Sequence, residues 1–248
     1  MIRVDILLVE QGLAASRTAA QNLVAAGRVS SRGAVVAKPS QKFPADAAFD
    51  IVADEADRYV SRGGLKMRGA LDAAGLQIAG WTALDVGQST GGFTDCLLQA
   101  GARRVVGVDV GHDQLHPRMR EDARVRYFEG VNARALDRAA LLAANDGDGF
   151  NLMVCDVSFI SLSLVLPSAL PLLTPGGRLL SLVKPQFEVG RGGLSHGGIV
   201  RDESLYPLVR DKIDQVLAEQ NMRTLAWFDS PIKGGDGNRE FFVHAERR

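Results

Sequence analysis

From Trp81 onward, short apolar runs alternate with longer stretches in which apolar residues recur every three to four positions. The runs Leu84-Asp85-Val86, Val105–Val108, Arg126-Tyr127-Phe128, Leu152–Cys155 and Leu179–Val183 read as five strands. Helices are expected from about Gly92 to Ala100, around Ala135–Ala144, around Leu162–Leu173 and near Tyr206–Gln220. Two late strands are expected around Thr224–Asp229 and Glu240–Ala245. Near-continuous apolar strands separated by helices imply an α/β fold built on a doubly wound parallel sheet, with a late antiparallel pair at one edge.

The first fifty residues follow a different pattern. Ile6, Leu7, Leu8 and Leu13 mark a short helix ended near Gly12, and Ser16 is placed to cap a second helix from Arg17 to Ala26, stopped by Gly27. Short β-prone pieces follow around Val29, Val35-Val36 and Phe49-Ile51-Val52, punctuated by Gly33, Pro39 and Pro44. Two helices and a small curled sheet make a compact α+β module. The string Arg3-Val4-Asp5-x-Leu7-Leu8-Val9-x-x-Gly12-Leu13-x-x-Ser16-Arg17-x-x-Ala20, with Gly27-Arg28-Val29 and Lys38-Pro39-Ser40, resembles the S4-type RNA-binding domain. Ser30-Ser31-Arg32-Gly33 departs from the apolar residue and Asn-Gly usual in that turn. The resemblance implies an RNA-facing surface on the second helix and the loop after it, with Arg3, Arg17, Arg28, Arg32 and Lys38 as candidate phosphate contacts. The polar stretch Asp54–Asp57 leads into Tyr59-Val60-Ser61-Arg62-Gly63-Gly64. The expected organisation is therefore a first domain over 1–58, a joint over 59–64 and a second domain over 65–248.

Composition narrows the class. The formal net charge is zero, with 29 basic and 29 acidic residues, which argues against a protein that coats nucleic acid indiscriminately but allows a local basic face. No apolar run reaches the roughly 18–20 uncharged residues of a membrane span, and the N-terminus lacks the order of a secretory signal. Two cysteines make neither a disulfide framework nor a metal cluster. The expectation is a cytoplasmic protein with no metal site, no membrane association and no stable protein partner.

The segment Asp85-Val86-Gly87-Gln88-Ser89-Thr90-Gly91-Gly92-Phe93-Thr94-Asp95 lies between the first strand and its helix, where doubly wound sheets bind nucleotides. Ser89 stands where a dinucleotide fingerprint needs its second glycine, and no Gly-Lys-Ser/Thr ending marks a P-loop. The spacing Asp-x-Gly-x-x-x-Gly-Gly resembles the first motif of class I (Rossmann-like) methyltransferases, whose cofactor, S-adenosylmethionine, carries no phosphate. Gly87 allows close backbone approach and Asp85 orients the site. Ser89, Gly91 and Gly92 complete the loop. Asp109, at the end of the second strand, is placed to accept both ribose hydroxyls of an adenosine. Asn132, after the third strand, is the candidate for the adenine edge, and Asp156, after the fourth, closes the set.

The reaction follows partly by elimination. Asp156-Val157-Ser158-Phe159 lacks the two prolines of an amino-group methyltransferase. Methylation at a base carbon needs a cysteine nucleophile. Cys155 is turned away from Asp156 by strand alternation and Cys96 lies within a helix, so both read as core. Four charges remain at strand ends or the entry to the sheet: Lys66, Asp156, Lys184 and Glu240. In that order they resemble the tetrad of FtsJ-like 2′-O-ribose methyltransferases. A ribose hydroxyl is a weak nucleophile that must be aligned and relieved of its proton. Lys184 is the candidate central group, either as base or as stabiliser of a developing alkoxide, with Lys66 lowering its pKa and Asp156 and Glu240 orienting it.

Taken together, the strings Val60-Ser61-Arg62-Gly63-Gly64-x-Lys66, Asp85–Asp95, Val108-Asp109-Val110-Gly111, Asp156–Ser161, Lys184-Pro185-Gln186-Phe187-Glu188 and Gly198-Ile199-Val200-Arg201-Asp202 resemble the TlyA family. These are ribosomal RNA cytidine 2′-O-methyltransferases, often labelled haemolysins. Gly235-Asp236-Gly237 and His112 are minor departures. The resemblance implies ribosomal RNA or ribosomal subunits as partner, S-adenosylmethionine as cofactor, and a joint that couples RNA docking to cofactor binding, which adds Arg62 to the RNA-binding set. A membrane-active haemolysin and a methyltransferase of another structured RNA, such as tRNA, are the alternatives.

Overall fold

The computed structural model describes residues 1–14, 16–234 and 237–248, so Gly235 and Asp236 of the departure noted above lie outside the described residues. The chain divides into two units, 1–57 and 58–248.

In the smaller unit, β1 (Ile2–Arg3) runs into α1 (Val4–Glu10), and α2 covers Arg17–Ala25. Ser16 caps α2 as its position predicted, its Oγ accepting the Ala19 N–H at 3.2 Å. Then come β2 (Val29–Ser31), β3 (Ala34–Val35), β4 (Lys42–Phe43) and β5 (Asp50–Ile51). β3, β2 and β5 form one small sheet, and β1 pairs with β4. The unusual turn is a tight hairpin between β2 and β3, with Arg32 and Gly33 both at positive φ (50° and 78°). Arg32 thus takes a backbone position in which asparagine is more usual. Val4, Leu7, Leu8, Ala20, Val24, Val29, Val36 and Phe49 form the unit's own core.

The larger unit begins earlier than the expected domain start. Tyr59, assigned to the joint, is 7% exposed and packs into the core, and Gly64 has no room for a Cβ against the Tyr59 ring. The Val60 N–H donates to Asp95 Oδ2 at 2.8 Å. Residues 59–64 are therefore built into this unit and lead directly into α3 (Gly63–Ala74), a helix absent from the expected elements. Its buried Met67, Ala70 and Leu71 lie on one helical face.

The rest alternates as expected: β6 (Thr82–Val86), α4 (Gly92–Gln99), β7 (Arg104–Val108), a short α5 (Pro117–Glu121), β8 (Val125–Phe128), α6 (Arg138–Ala144), β9 (Phe150–Cys155), α7 (Leu162–Ala169), β10 (Leu173–Val183), α8 (Leu205–Glu219), β11 (Met222–Asp229) and β12 (Phe241–Arg247). α7 is shorter than expected, because a 3-10 turn over Leu170–Leu172 delivers the chain into a long, irregular β10. The seven strands order as β11-β12-β10-β9-β6-β7-β8. Of the late pair only β12 is reversed against its neighbours: it runs antiparallel to both β10 and β11.

Alternation along the strands divides the core into two layers. Leu152, Val154, Leu180 and Leu182 face Met67, Leu71, Phe93 and Leu97 of α3 and α4. Met153, Cys155, Leu179 and Val183 face Leu162, Val165, Ile213 and Leu217 of α7 and α8. The order reverses between β6 and β9, and the crevice beyond their carboxyl ends is where such sheets bind ligands.

Candidate active site

The loop from Gly87 to Gly91 occupies that crevice. Gly87 has φ of 87°, and a Cβ there would lie 2.5 Å from the Asp156 carbonyl oxygen. Only glycine fits, for backbone conformation and for space. Ser89, in place of a second glycine, also has positive φ (47°); its N–H donates to Asp109 Oδ2 at 2.8 Å. The Gly111 N–H donates to Asp109 Oδ1 at 2.7 Å. Each carboxylate oxygen of Asp109 keeps a lone pair for a further donor. Gly91 (φ 91°) opens α4, and a Cβ on Gly92 would overlap the Ser61 hydroxyl.

Behind the loop, Asp85 is fully buried. Thr94 Oγ1 donates to its Oδ2 at 2.6 Å, and Gln88 Nε2 donates to Thr94 Oγ1 at 2.8 Å. Among the described residues Asp85 Oδ1 accepts no hydrogen bond. Burial pushes this carboxyl up to about 7, opposed by the Thr94 hydroxyl and reinforced by the nearby Asp156 and Asp109. A buried acceptor without a donor is the kind of group a cationic ligand would satisfy. A cavity of about 540 Å³ is lined by Gly87, Ser89, Asp109, Asn132, Asp156 and Phe159, among others. Asn132 Oδ1 accepts the Arg134 N–H at 3.0 Å.

A second cavity, of about 310 Å³, shares Gly87, Ser89, Asp156 and Ser158 with the first and is also lined by Arg62, Lys66, Lys184 and Lys233. Two lysines are held there by carboxylates. Lys184 Nζ lies 2.6 Å from Asp156 Oδ1, an ion pair by proximity, and donates a hydrogen bond to Ser158 Oγ at 2.8 Å. Lys66, in the first turn of α3, donates to Glu240 Oε2 at 2.6 Å. The register that pairs Val183 with Phe241 sets Lys184 and Glu240 at the same sheet edge. The structure corrects one expected relation: the carboxylate of Glu240 orients Lys66, and Asp156 with Ser158 orients Lys184. Glu240 is 3% exposed and lies beneath Lys66, away from the cavity lining.

Ser158 and Lys233 join the site from positions that the sequence does not mark. Ser158 sits two residues past Asp156, so the turn brings its hydroxyl back to the lysine. Lys233 comes from the connection between β11 and β12, in which no motif marks it. Arg62 and Lys233 are exposed and have no ion-pair partner among the described residues. Both cysteines are buried, and burial pushes each thiol up to about 12, which fits packing rather than nucleophilic attack.

In the smaller unit the basic candidates divide. Arg3 donates from Nε and Nη2 to the fully buried Asp5, each at 2.9 Å, and Arg17 and Gln21 donate to the same carboxylate at 3.1 and 2.9 Å. These partners hold the Asp5 carboxyl well below the usual carboxylate range. Arg3 and Arg17 keep 38% and 58% of their side chains exposed, so they are braced yet accessible. Arg28 is only 15% exposed and donates to the Val52 carbonyl and to Asp57. Its guanidinium is therefore engaged within the unit and offers less to an outer face than Arg3 or Arg17. Arg32 and Lys38 are exposed.

A sheet ordered this way, with its last strand reversed, a glycine loop after its first strand and paired charges at its carboxyl edge, defines a class I methyltransferase architecture. Comparison with known proteins agrees: the FtsJ-like methyltransferase model matches residues 59–247 and the S4 domain model residues 2–46. The Mycobacterium tuberculosis 16S/23S rRNA (cytidine-2′-O)-methyltransferase TlyA is 41% identical over 247 residues, covering 97% of this chain and 88% of that protein. Hemolysin A of Brachyspira hyodysenteriae is 35% identical over 243 residues, covering 98% and 99%. A solved structure from Streptococcus thermophilus, also named a hemolysin, is 39% identical with a TM-score of 0.77, covering 99% of this chain and 88% of that one. The chain belongs to the TlyA family of FtsJ-like methyltransferases with an N-terminal S4 domain.

Proposed function

We propose that the protein transfers a methyl group from S-adenosylmethionine to a ribose 2′-hydroxyl of cytidine in ribosomal RNA. The observation that carries this reading is the pair of carboxylate-held lysines, Lys184 on Asp156 and Lys66 on Glu240, beside a cavity that adjoins the glycine loop. The 41% identity to a cytidine-2′-O-methyltransferase, and the S4 domain, support the choice of reaction and of RNA. Some relatives carry hemolysin names; among the described residues no helix is long and apolar enough to cross a membrane.

The residues fit the cofactor. Gly87, Ser89, Gly91 and Gly92 would let the backbone approach it, Asp109 would take the ribose hydroxyls and Asn132 the adenine edge, Asp85 behind the loop would favour its cationic end, and Asp156 lines both cavities. When bound, S-adenosylmethionine supplies an electrophilic sulfonium methyl. Lys184 has three N–H donors, of which one is given to Ser158, while its charge lies in ion-pair range of Asp156. A remaining N–H can align the 2′-hydroxyl oxygen and hold the charge that develops there as the methyl transfers, with the hydroxyl proton released to solvent. Lys66 adds positive potential from a second fixed point. Arg62 and Lys233, exposed and without an ion-pair partner among the described residues, serve the phosphates flanking the target ribose, and Arg3, Arg17, Arg32 and Lys38 serve RNA on the smaller unit.

Lys184→Ala is the direct test. Methyl transfer should fall by roughly 10²-fold or more, with cofactor affinity by calorimetry nearly unchanged, because the residue acts on the hydroxyl. Ordinary turnover in that variant would refute the assignment.

A further inference from the structure

The string Lys184-Pro185-Gln186-Phe187-Glu188 places an acid four residues beyond the proposed catalytic lysine, and the chemistry above gives it no task. Its side chain is 1% exposed. A carboxylate so buried is tolerated only with strong partners. Those partners come from other elements. Glu188 Oε2 accepts Ser161 Oγ at 2.6 Å and Lys212 Nζ at 2.7 Å, and Oε1 accepts the Leu162 N–H at 2.7 Å. Lys212, on α8, also donates to Ser161 Oγ at 3.1 Å.

Ser161 ends the turn that leaves β9 and precedes α7, the turn that carries Asp156 and Ser158. Glu188 ends the 3-10 turn that leaves β10, the turn that carries Lys184. The two turns are thus joined twice. At their near ends Lys184 meets Asp156 and Ser158; at their far ends Glu188 meets Ser161 and Leu162. Between the two joints the rings of Phe159 and Phe187 pack at a centroid distance of 5.2 Å. One joint alone would leave each turn free to pivot about it, whereas two fix their relative orientation. Helix capping does not account for the whole arrangement, since Ser161 already accepts the Ser163 N–H at 3.2 Å.

We propose that Glu188 is a positioning residue for methyl transfer: its carboxylate, bolted from α8 by Lys212, locks the two turns so that Lys184 meets the ribose hydroxyl in line with the methyl donor. The proposal rests on the role given to Lys184 above. In the full-length protein with ribosomal RNA as substrate, Glu188→Ala should lower kcat roughly 10–100-fold, the loss typical of a displaced reacting group. The KM for RNA and the affinity for S-adenosylhomocysteine should stay within about twofold. Glu188→Gln keeps an acceptor for the Leu162 N–H and should fall between that variant and wild type. Should Glu188→Ala not fold, Glu188→Gln and Lys212→Met, the latter at a half-exposed site, give the same reading: lower kcat at unchanged KM. Folded variants with wild-type kcat, or ones that lose RNA KM and cofactor affinity along with kcat, would overturn the proposal. A Lys184→Ala control separates the two claims. If it retains turnover, the reading of Lys184 fails; if it is inactive while the Glu188 variants turn over normally, only the positioning role fails.

Discussion

Asp85 carries a carboxyl into full burial with one oxygen bonded to Thr94 and the other to nothing described. Its pKa rises from 3.8 to about 7 because burial penalises the charged form. The native state therefore binds more protons than the unfolded chain between those values. The stability linked to Asp85 is fully present below about pH 4 and is lost as pH rises toward 7. Asp85→Asn removes that loss. Thermal melts without cofactor should show the variant more stable than wild type by roughly a few degrees at pH 8, with the gain vanishing at pH 4. Cofactor affinity should fall at pH 8, where an ionised acceptor matters. A melting difference independent of pH would contradict the assignment. At this scale the sequence marks which residues matter better than how they pair. Asp156, Lys184 and Glu240 stand at strand ends, so sheet topology brings those three to one edge, whereas Lys66 arrives there on the first turn of α3. That Glu240 grips Lys66 depends on α3 and on the β10–β12 register, which no local pattern reveals. Arg28 is likewise indistinguishable from its exposed neighbours until Val52 and Asp57 are placed beside it.

Among the elements, the glycine loop after β6 carries the tightest constraint. Gly87 needs positive φ and lies against the Asp156 main chain, so Gly87→Ala combines backbone strain with a clash between the two segments that flank the crevice. The expected cost is about 1–3 kcal/mol in denaturant unfolding, together with loss of cofactor binding. Wild-type stability and affinity in that variant would contradict the loop geometry. The inner strands of the sheet are legible because they are near-continuous apolar runs, and the loop because its spacing is unusual. α3 is not, since Gly63-Gly64 at its start reads as a turn and its apolar face is narrow. Packing of Met67 and Leu71 under the sheet outweighs those weak local signals. β1 and β4, at two residues each, are too short for any periodicity to appear.

For the molecule as a whole, the hydrophobic cores do not mix: one lies within 1–57 and two within 58–248. Removing residues 1–57 should leave a chain that melts cooperatively. Its methylation of large RNA should drop by roughly tenfold or more, and its RNA affinity should depend less steeply on salt, because the phosphate contacts proposed for Arg3, Arg17, Arg32 and Lys38 would be gone. Filter binding over a salt series, alongside methyl incorporation, checks both; full activity at an unchanged salt slope would show that the small unit does not grip RNA.

The central claim concerns the atom that receives the methyl group. Purified protein incubated with S-adenosylmethionine and ribosomal RNA lacking the modification, followed by digestion to nucleosides and mass spectrometry, reads that atom directly. The site described above predicts 2′-O-methylcytidine, with the added mass retained on the ribose fragment, and none in the Lys184→Ala reaction. A methyl group found on a base, or no product from ribosomal RNA in any form, would contradict it.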